Sequence, residues 1–329
     1  MDINGKYRPF YIAKLLEELT DEDHYLTTVQ ISNLLEERYG MTSYRQTIAK
    51  DMEILRTVGM DIDCIPSTQN RYRLLSRRFD DAELKLLIDA VASSKFISKK
   101  KSEVLAGKLA SLSSSFKAEE LKRNVSVEGR VKSENELTLL IIDAINEAIN
   151  KGKQIRFQYF HYNVRKRPEE KWKGYWYHTS PYRLVWNGDY YYVVCWNDKY
   201  NNISTFRIDR MLSIPQISEE DSVPMPKRVN IDRVINSVFR MYAVNAERVP
   251  VELLCENAIM DAMIDRFGKN MKTKMIDEGH FMAEVSVAVN DVFFGWIFGF
   301  GGKVKIAGPE DVKAKYAEMV HKSAAALEE

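Results

Sequence analysis

The 329-residue sequence is short of the groups that cross-link chains or hold metals. Its three cysteines, Cys64, Cys195 and Cys255, form no C-x-x-C pair and are odd in number. That argues against a disulfide framework or a structural zinc site and fits a reducing compartment. Five histidines add no metal-ligand spacing such as H-E-x-x-H. No metal and no cofactor are expected. Walker A, G-x-G-x-x-G and G-x-S-x-G motifs are missing as well, which removes the common phosphate-cradling and nucleophile-elbow signatures. The glycine-rich stretch Phe298 to Gly302 follows a helical pattern and not a strand, so it reads as a helix stop. The expectation is a protein that is not an enzyme. No apolar run is long enough to span a bilayer. The first thirty residues carry Glu17, Glu18, Asp21, Glu22 and Asp23, unlike a secretory leader. A cytoplasmic chain with no membrane partner is expected.

Hydrophobic residues make up 45% of the chain, enough for two or three packed domains. The net charge of +1 hides opposed segments. Arg38 to Arg78 holds eight Lys/Arg against four Asp/Glu. Asn150 to Pro215 holds twelve against five, and Gln216 to the end fourteen against eighteen. Two basic segments in a near-neutral chain point to two surfaces that attract anions, or simply to solvated faces.

The first basic segment follows a helical pattern. Ile12, Leu15, Leu16 and Leu19 predict a helix from Arg8 to Leu19. Thr27 or Thr28 caps a second, with Ile31, Leu34 and Leu35 inward and Gly40 as its stop. Ser43 and Gln46 have the S-x-x-Q spacing of a capping box for a third, whose inner face is Ile48, Met52 and Leu55 and which ends at Gly59. The exposed start of this third helix offers Ser43, Tyr44, Arg45, Gln46, Thr47 and Lys50. Arg pairs bidentately with guanine and Gln with adenine, while Thr and Lys hold phosphates. A hairpin then runs from Met60 to Leu75 around Pro66–Asn70, with Arg71 and Arg73 placed to grip a DNA backbone. A small helical bundle that binds nothing is the plainer reading. The short turn, the polar helix start and the basic hairpin together favour a winged helix-turn-helix that binds double-stranded DNA.

From Asp80 to Leu121 the pattern is helical in two segments, with Leu84, Leu87, Ile88 and Val91 as a stripe closed by Phe96 and Ile97. A further helix, Leu137 to Ile149, turns Leu140, Ile141, Ala144 and Ile145 inward. From Lys153 the pattern alternates in short strand-like runs separated by polar turns, as in a small bent antiparallel sheet or barrel. One run, NGDYYYVVCW, holds three tyrosines in succession. Alternation sends Tyr190, Tyr192 and Val194 to one face and Tyr191, Val193 and Cys195 to the other, so one set builds core and the other can face a groove.

These motifs, in this order, resemble bacterial transcription regulators with a WYL domain. SPYRLVW stands at the family's Pro-Tyr strand, and Tyr191, Tyr192 and Val193 stand for its three name-giving residues. FRIDRM, Phe206 to Met211, matches its Arg-x-Asp-Arg signature. Tyr for Trp and Val for Leu are departures that preserve shape. The resemblance implies a helical linker, an Sm-like barrel that senses a ligand, and a C-terminal extension. It carries effector binding onto Tyr159, Ser180, Tyr182, Tyr192, Arg207 and Arg210. Arginine forks suit an anion, and tyrosine rings can stack a base. Asp209 is expected to orient one arginine and leave the other available. Downstream, VELLC, DAMIDRFG, HFMAEVSVAV, a helix around Trp296, VKI and a last helix begun by Pro309 alternate as in a small ferredoxin-like element.

The expected fold is therefore multidomain α+β. A winged helix-turn-helix covers 1–78, a helical linker 79–135, an Sm-like antiparallel β-barrel 136–218, and a ferredoxin-like α+β domain 219–329. The expected function is a sequence-specific DNA-binding transcription regulator that responds to an effector such as a nucleotide or single-stranded nucleic acid, and works as a homodimer because paired half-sites need two readers. The alternatives are a nucleic-acid sensor without direct gene control, for example in defence, and a regulator that responds to a small metabolite.

Overall fold

The computed structural model describes residues 3–123, 131–227 and 248–327. The chain divides into two compact units, Met1–Glu136 and Leu137–Glu329.

The first unit opens with α1 (Ile3–Leu19), β1 (Leu26–Thr27), α2 (Thr28–Tyr39), α3 (Arg45–Thr57), β2 (Ile62–Ile65) and β3 (Arg71–Leu74). Helix α1 starts a turn earlier than its apolar stripe and runs through Pro9. Thr27 caps α2 in a capping box with Gln30, and Gly40 ends it at φ 64°, a left-handed position where a Cβ would be strained. The expected box at Ser43 does not form. Tyr44 is the N-cap of α3 and makes no side-chain cap bond. Ser43 is buried instead. Its carbonyl accepts from Ser32 Oγ at 2.8 Å, and its own Oγ has no partner among the described residues. The packing of the α2–α3 turn outcompetes a cap that local spacing favoured.

Ile12, Leu15 and Leu16 of α1 meet Ile31 and Leu35 of α2, Ile48, Met52 and Leu55 of α3, and Leu26, Ile62, Tyr72 and Leu74 of a small sheet. Each such side chain, fully buried, stabilises by about 1.5–3 kcal/mol. Arg8 ties α1 to the buried Asp51 of α3 at 2.5 Å. Strands β2 and β3 pair as the expected hairpin, and β1 adds to the far side of β3.

Three helices follow, α4 (Asp81–Ser93), α5 (Lys99–Ala110) and α6 (Ser115–Arg123), where two were expected. Leu84 and Ile88 pack on Ala106, Ala110, Ala118 and Leu121. Leu87, read as inward, is exposed, because small alanines on α5 bring the helices close along a narrow seam. Asp21, in the turn after α1, joins this layer to the first: Ser114 Oγ donates to it at 2.5 Å, and His24 stacks on Phe116 at 3.7 Å.

The second unit begins with α7 (Thr138–Lys151), which packs on β4 (Lys153–Gln158) and β7 (Trp176–Asn187). Ile141, Ile145 and Ala148 face inward, whereas Leu140, expected there, is exposed. With β8 (Tyr190–Asn197), β9 (Asn202–Arg207) and β10 (Gln216–Asp221) these strands form one antiparallel sheet in the order β10-β4-β7-β8-β9. Among the described residues the edge strands β10 and β9 do not pair, so the sheet does not close into the expected Sm-like barrel there. Strand β9 ends at Arg207, and a 3₁₀ turn, Ile208–Arg210, follows it. Tyr159 and Met211 meet through one isolated bridge. A separate two-stranded hairpin, β5 (Phe160–Tyr162) and β6 (Pro168–Glu170), leaves the end of β4.

The last part of the unit is β11 (Arg248–Glu256), α8 (Met260–Phe267), β12 (Lys272–Met275), β13 (His280–Ala288), α9 (Asp291–Phe298), β14 (Val304–Gly308) and α10 (Glu310–Ala325). Its four strands lie in the order β12-β13-β11-β14 with every pairing antiparallel, the split β–α–β arrangement expected from the sequence. Val251, Leu253, Cys255, Phe281, Ala283 and Val285 meet Met263, Phe293, Phe294, Ile297 and Val312 of the helices. Strand β12 escaped the sequence reading because all its residues are exposed. Among the described residues no helix is long and apolar enough to cross a membrane, and no group of His, Cys, Asp or Glu is placed to hold a metal.

Candidate functional site

In the first unit the residues singled out at the start of α3 divide. Tyr44 is 77% exposed, and Arg45, Gln46 and Lys50 are also exposed on a helix whose opposite face is locked in the core. Thr47 is half-buried and Ser43 is fully withdrawn. On the hairpin, Arg71 is exposed with its guanidinium 4.5 Å from the Tyr25 ring centroid. Arg73 is engaged: Nε donates to Asp63 at 3.0 Å, and Nη1 donates to the Glu22 carbonyl. Arg77, just after the hairpin, donates to the carbonyls of Glu17 and Thr20 and fixes the end of α1. So Tyr44, Arg45, Gln46, Lys50 and Arg71 remain open to a ligand, while Arg73 and Arg77 hold the fold.

In the second unit the three tyrosines sit on a strand covered on both sides. Tyr192 is buried with Val185, Val194 and Ile203, beside Tyr182, Tyr190 and Trp196, and Ala288 of β13 closes that cluster. Val193 and Cys195 point the other way and are fully buried, on the side where Phe157, Tyr159, Tyr177 and Phe206 pack as rings 4.9–6.5 Å apart. Burial pushes the Cys195 thiol up to about 12, so it stays neutral. The tyrosine strand is therefore mainly core, with Tyr190 as its half-exposed polar end.

Register places Tyr192 opposite Arg207, on the same face. Arg207 is the centre of the polar cluster. Its Nε and Nη2 donate to the two oxygens of Asp209 at 3.1 and 2.7 Å, and its guanidinium carbon lies 3.3 Å from the Tyr190 ring centroid. Burial pulls the Arg207 pKa down, but the hydrogen bonds and charge of Asp209 outweigh it and hold it above the ordinary value. The backbone N–H of Arg207 donates to Tyr159 Oη at 3.1 Å. Burial pushes the Tyr159 hydroxyl well up, against this hydrogen bond and the nearby Arg210 charge. Arg210 is the second arginine of the signature. Its Nε is buried and donates to none of the described residues.

Ser180 and Tyr182 have another task. Ser180 Oγ accepts the N–H of Val223 at 2.9 Å, and Tyr182 Oη donates to the Val223 carbonyl at 2.9 Å. Together they clamp the chain after β10. Burial pushes the Tyr182 hydroxyl up to about 12. Arg156 was not singled out from the sequence. It pairs in register with His178, lies 5.8 Å from the Trp176 ring centroid, and its Nε is buried without a partner among the described residues. Its place between apolar neighbours in IRFQYF was the available signal: an arginine there can be solvated or functional, and only the pairing of β4 with β7 separates the two.

Two family models match the chain, a WYL domain over residues 141–215 and a WCX domain over residues 247–324. No curated protein matches it. Solved structures that resemble it include proteasome accessory factor B/C (PafBC) of Arthrobacter aurescens, 18% identical over 94% of this chain and 47% of that one, with a TM-score of 0.30. A CRISPR Cas-related protein is 16% identical over 77% of this chain and 75% of that one, with a TM-score of 0.39. The chain thus spans about half the length of PafBC. Likenesses this distant assign no role to any residue here.

Proposed function

With a WYL domain followed by a WCX domain, the chain belongs among the WYL-domain proteins, and on that premise we propose that it is a sequence-specific DNA-binding transcription regulator whose WYL sheet responds to an anionic effector. The first unit is read as a winged helix-turn-helix and the sheet as an open relative of the Sm-like barrel. The observation that carries the reading is the start of α3, where Tyr44, Arg45, Gln46 and Lys50 stand exposed on a helix whose other face is fixed in the core. A rigid helix presenting Arg and Gln suits base edges in a major groove, and Arg71 on the hairpin suits a phosphate. Arg207 held by Asp209, with Arg210 Nε near Tyr159 and donating to none of the described residues, supports recognition of an anion in the second unit. The protein acts in the cytoplasm, and a homodimer reads two half-sites.

Selection of duplexes from a random-sequence pool by the purified chain tests the first half. The expected result is enrichment of a defined site, with Arg45→Ala weakening binding to it by about 1–3 kcal/mol and relaxing specificity at one position. Equal affinity for unrelated duplexes would support the alternative of a nucleic-acid sensor without gene control. Binding unchanged in both Arg45→Ala and Lys50→Ala would remove α3 as the reader.

A further inference from the structure

Among the described residues, the buried apolar side chains of the first unit fall into separate clusters. One, from Ile12 to Leu74, holds α3; the other sets Leu84 and Ile88 of α4 on Ala106 and Ala110 of α5 and the inner side of α6. What joins the two is polar. Asp21 Oδ1 accepts the N–H groups of Asp23 and His24 at 3.0 and 2.9 Å and so shapes the turn after α1. Its Oδ2 accepts from Ser114 Oγ at 2.5 Å, and Ser114 Oγ in turn accepts the Lys117 N–H at the start of α6. Ser113 Oγ donates to Asp81 at 3.0 Å, at the start of α4. The end of α1 and the starts of α4 and α6 therefore meet at one spot. His24 Nδ1 lies 2.6 Å from Asp21, and its ring stacks on Phe116, with the two side chains 41% and 46% exposed.

The covalent link between the two bodies is short. Arg77 is bound back to the Glu17 and Thr20 carbonyls at 2.8 and 2.6 Å, and Asp80 is already the N-cap of α4. Arg78 and Phe79, which lie between, are exposed. Two packed bodies joined by such a link and a polar patch make a hinge. A shared apolar core resists opening in proportion to the area it buries, whereas hydrogen bonds can be exchanged for water. The lever is long. Helix α1 grips α3 through Arg8 and Asp51, about 18 Å along the helix from the joint. A turn of about 11° there carries α3 by about 3.4 Å, one base-pair step of a duplex.

We propose that the Asp21–Ser114 bond and the His24–Phe116 stack are a clasp that fixes the angle of α3, and with it the spacing of the two half-sites that the chain reads. The proposal rests on the reading of α3 as the DNA reader of a homodimer. Two readers held at one angle fit one spacing, because one added base pair moves a half-site by about 3.4 Å and turns it by about 35°. Two readers free to swing accept neighbouring spacings and bind the best one less tightly. The clasp residues are positioning residues: they act through α1 and its hold on α3, not by contact with DNA.

The test uses the full chain and two readouts. The first is fluorescence anisotropy on a ladder of duplexes, built from the site that selection yields, with the half-site spacing changed by one or two base pairs. Wild type should lose about tenfold or more in affinity for one base pair either way. Ser114→Ala with Phe116→Ala should bring the whole ladder within about threefold, with the base preference inside each half-site unchanged. Phe116→Ala alone, at a half-exposed position, should keep the fold and flatten the ladder in part. Ser98→Ala removes the corresponding cap from α5, where Ser98 Oγ accepts the Lys101 N–H at 3.2 Å, and should keep the wild-type profile. The second readout needs no DNA. Spin labels on Val58→Cys and Val104→Cys, exposed at the end of α3 and on α5, give a reader-to-layer distance distribution by pulsed electron paramagnetic resonance. Cys64→Ser serves as background, since Cys195 and Cys255 are buried. The distribution should be narrow in the wild-type clasp and widen in the double variant. A ladder as steep in the double variant as in wild type, or equal distance widths, would overturn the proposal. If selection yields no site, the DNA-binding reading falls and takes the spacing role with it, while the distance widths still decide whether the clasp holds the joint.

Discussion

Asp209→Asn is the sharpest perturbation of the polar cluster, because it removes a charge and almost no volume. Asp209 accepts from Nε and Nη2 of Arg207 at 3.1 and 2.7 Å, with side chains 6% and 19% exposed. Breaking a fully buried pair costs about 3–5 kcal/mol. Water still reaches part of Arg207, and the Tyr190 ring keeps its cation–π contact, so the expected loss is about 2–3 kcal/mol.

The sequence supplies the assay. All five tryptophans, Trp172, Trp176, Trp186, Trp196 and Trp296, lie in the second unit, so tryptophan fluorescence follows that unit in urea. With a urea slope of about 2–3 kcal/mol per molar, the midpoint should fall by about 1 M while the slope stays constant. A midpoint shift below about 0.2 M would mean that Asp209 does not orient Arg207. A changed slope would mean that the unfolding ceased to be two-state, and the magnitude would lose its meaning.

Two further outcomes follow from the clasps that hold each unit. Burial alone would raise the Asp21 carboxyl, but hydrogen bonds from Ser114, His24 and two backbone N–H groups overcome it and hold its pKa below the ordinary value. Its contribution is therefore present above the unfolded pKa near 4 and is lost as pH falls through the lower folded value. Far-UV circular dichroism melts of the whole chain should show an acid-labile first transition in the wild type, and Asp21→Asn should be weaker at neutral pH with a flatter acid limb. Tyr182→Phe removes the hydroxyl that holds the Val223 carbonyl, so it should cost about 1 kcal/mol in the tryptophan-monitored midpoint. It should leave any effector response intact, and a lost response at unchanged stability would return Tyr182 to the ligand site.

The sequence was most legible where local signals and packing agree. Thr27 with Gln30, Gly40, and the hairpin from Ile62 to Leu74 each combine a turn or cap residue with an apolar period. It misled where two signals competed. The spacing from Ser43 to Gln46 fits a cap, but Ser43 is drawn into the turn after α2 and Tyr44 takes the cap. Leu87 and Leu140 fit their stripes by period, yet small residues narrow one seam and α7 turns Ile141 and Ile145 inward. Alternation located the faces of the tyrosine strand, but not that both are covered, since Ala288 lies nearly a hundred residues away. That Asp209 orients one arginine was expected in kind. Which arginine Asp209 would take depends on the 3₁₀ turn, and no spacing rule encodes that.

That pairing has an energetic consequence. An anion that drew Arg207 away from Asp209 would break the two hydrogen bonds that hold the buried carboxylate to its counter-charge, which costs affinity. Binding that keeps the pair intact avoids this. Nε of Arg210 donates to none of the described residues, so it is a group an anion can take without breaking a bond seen there. Holding Arg210 Nε buried and unmet has a cost, about 1–3 kcal/mol for a wholly buried donor and less here because the side chain is only partly covered. A residue kept at the expense of stability should stabilise the fold when it is replaced by an apolar one of similar length. Arg210→Met should therefore raise the urea midpoint of the tryptophan signal by about 0.2–0.5 M, whereas Arg207→Met should lower it as Asp209→Asn does. If Arg210→Met lowers the midpoint instead, its guanidinium is a structural brace, and the anion-binding reading of this cluster loses its available donor.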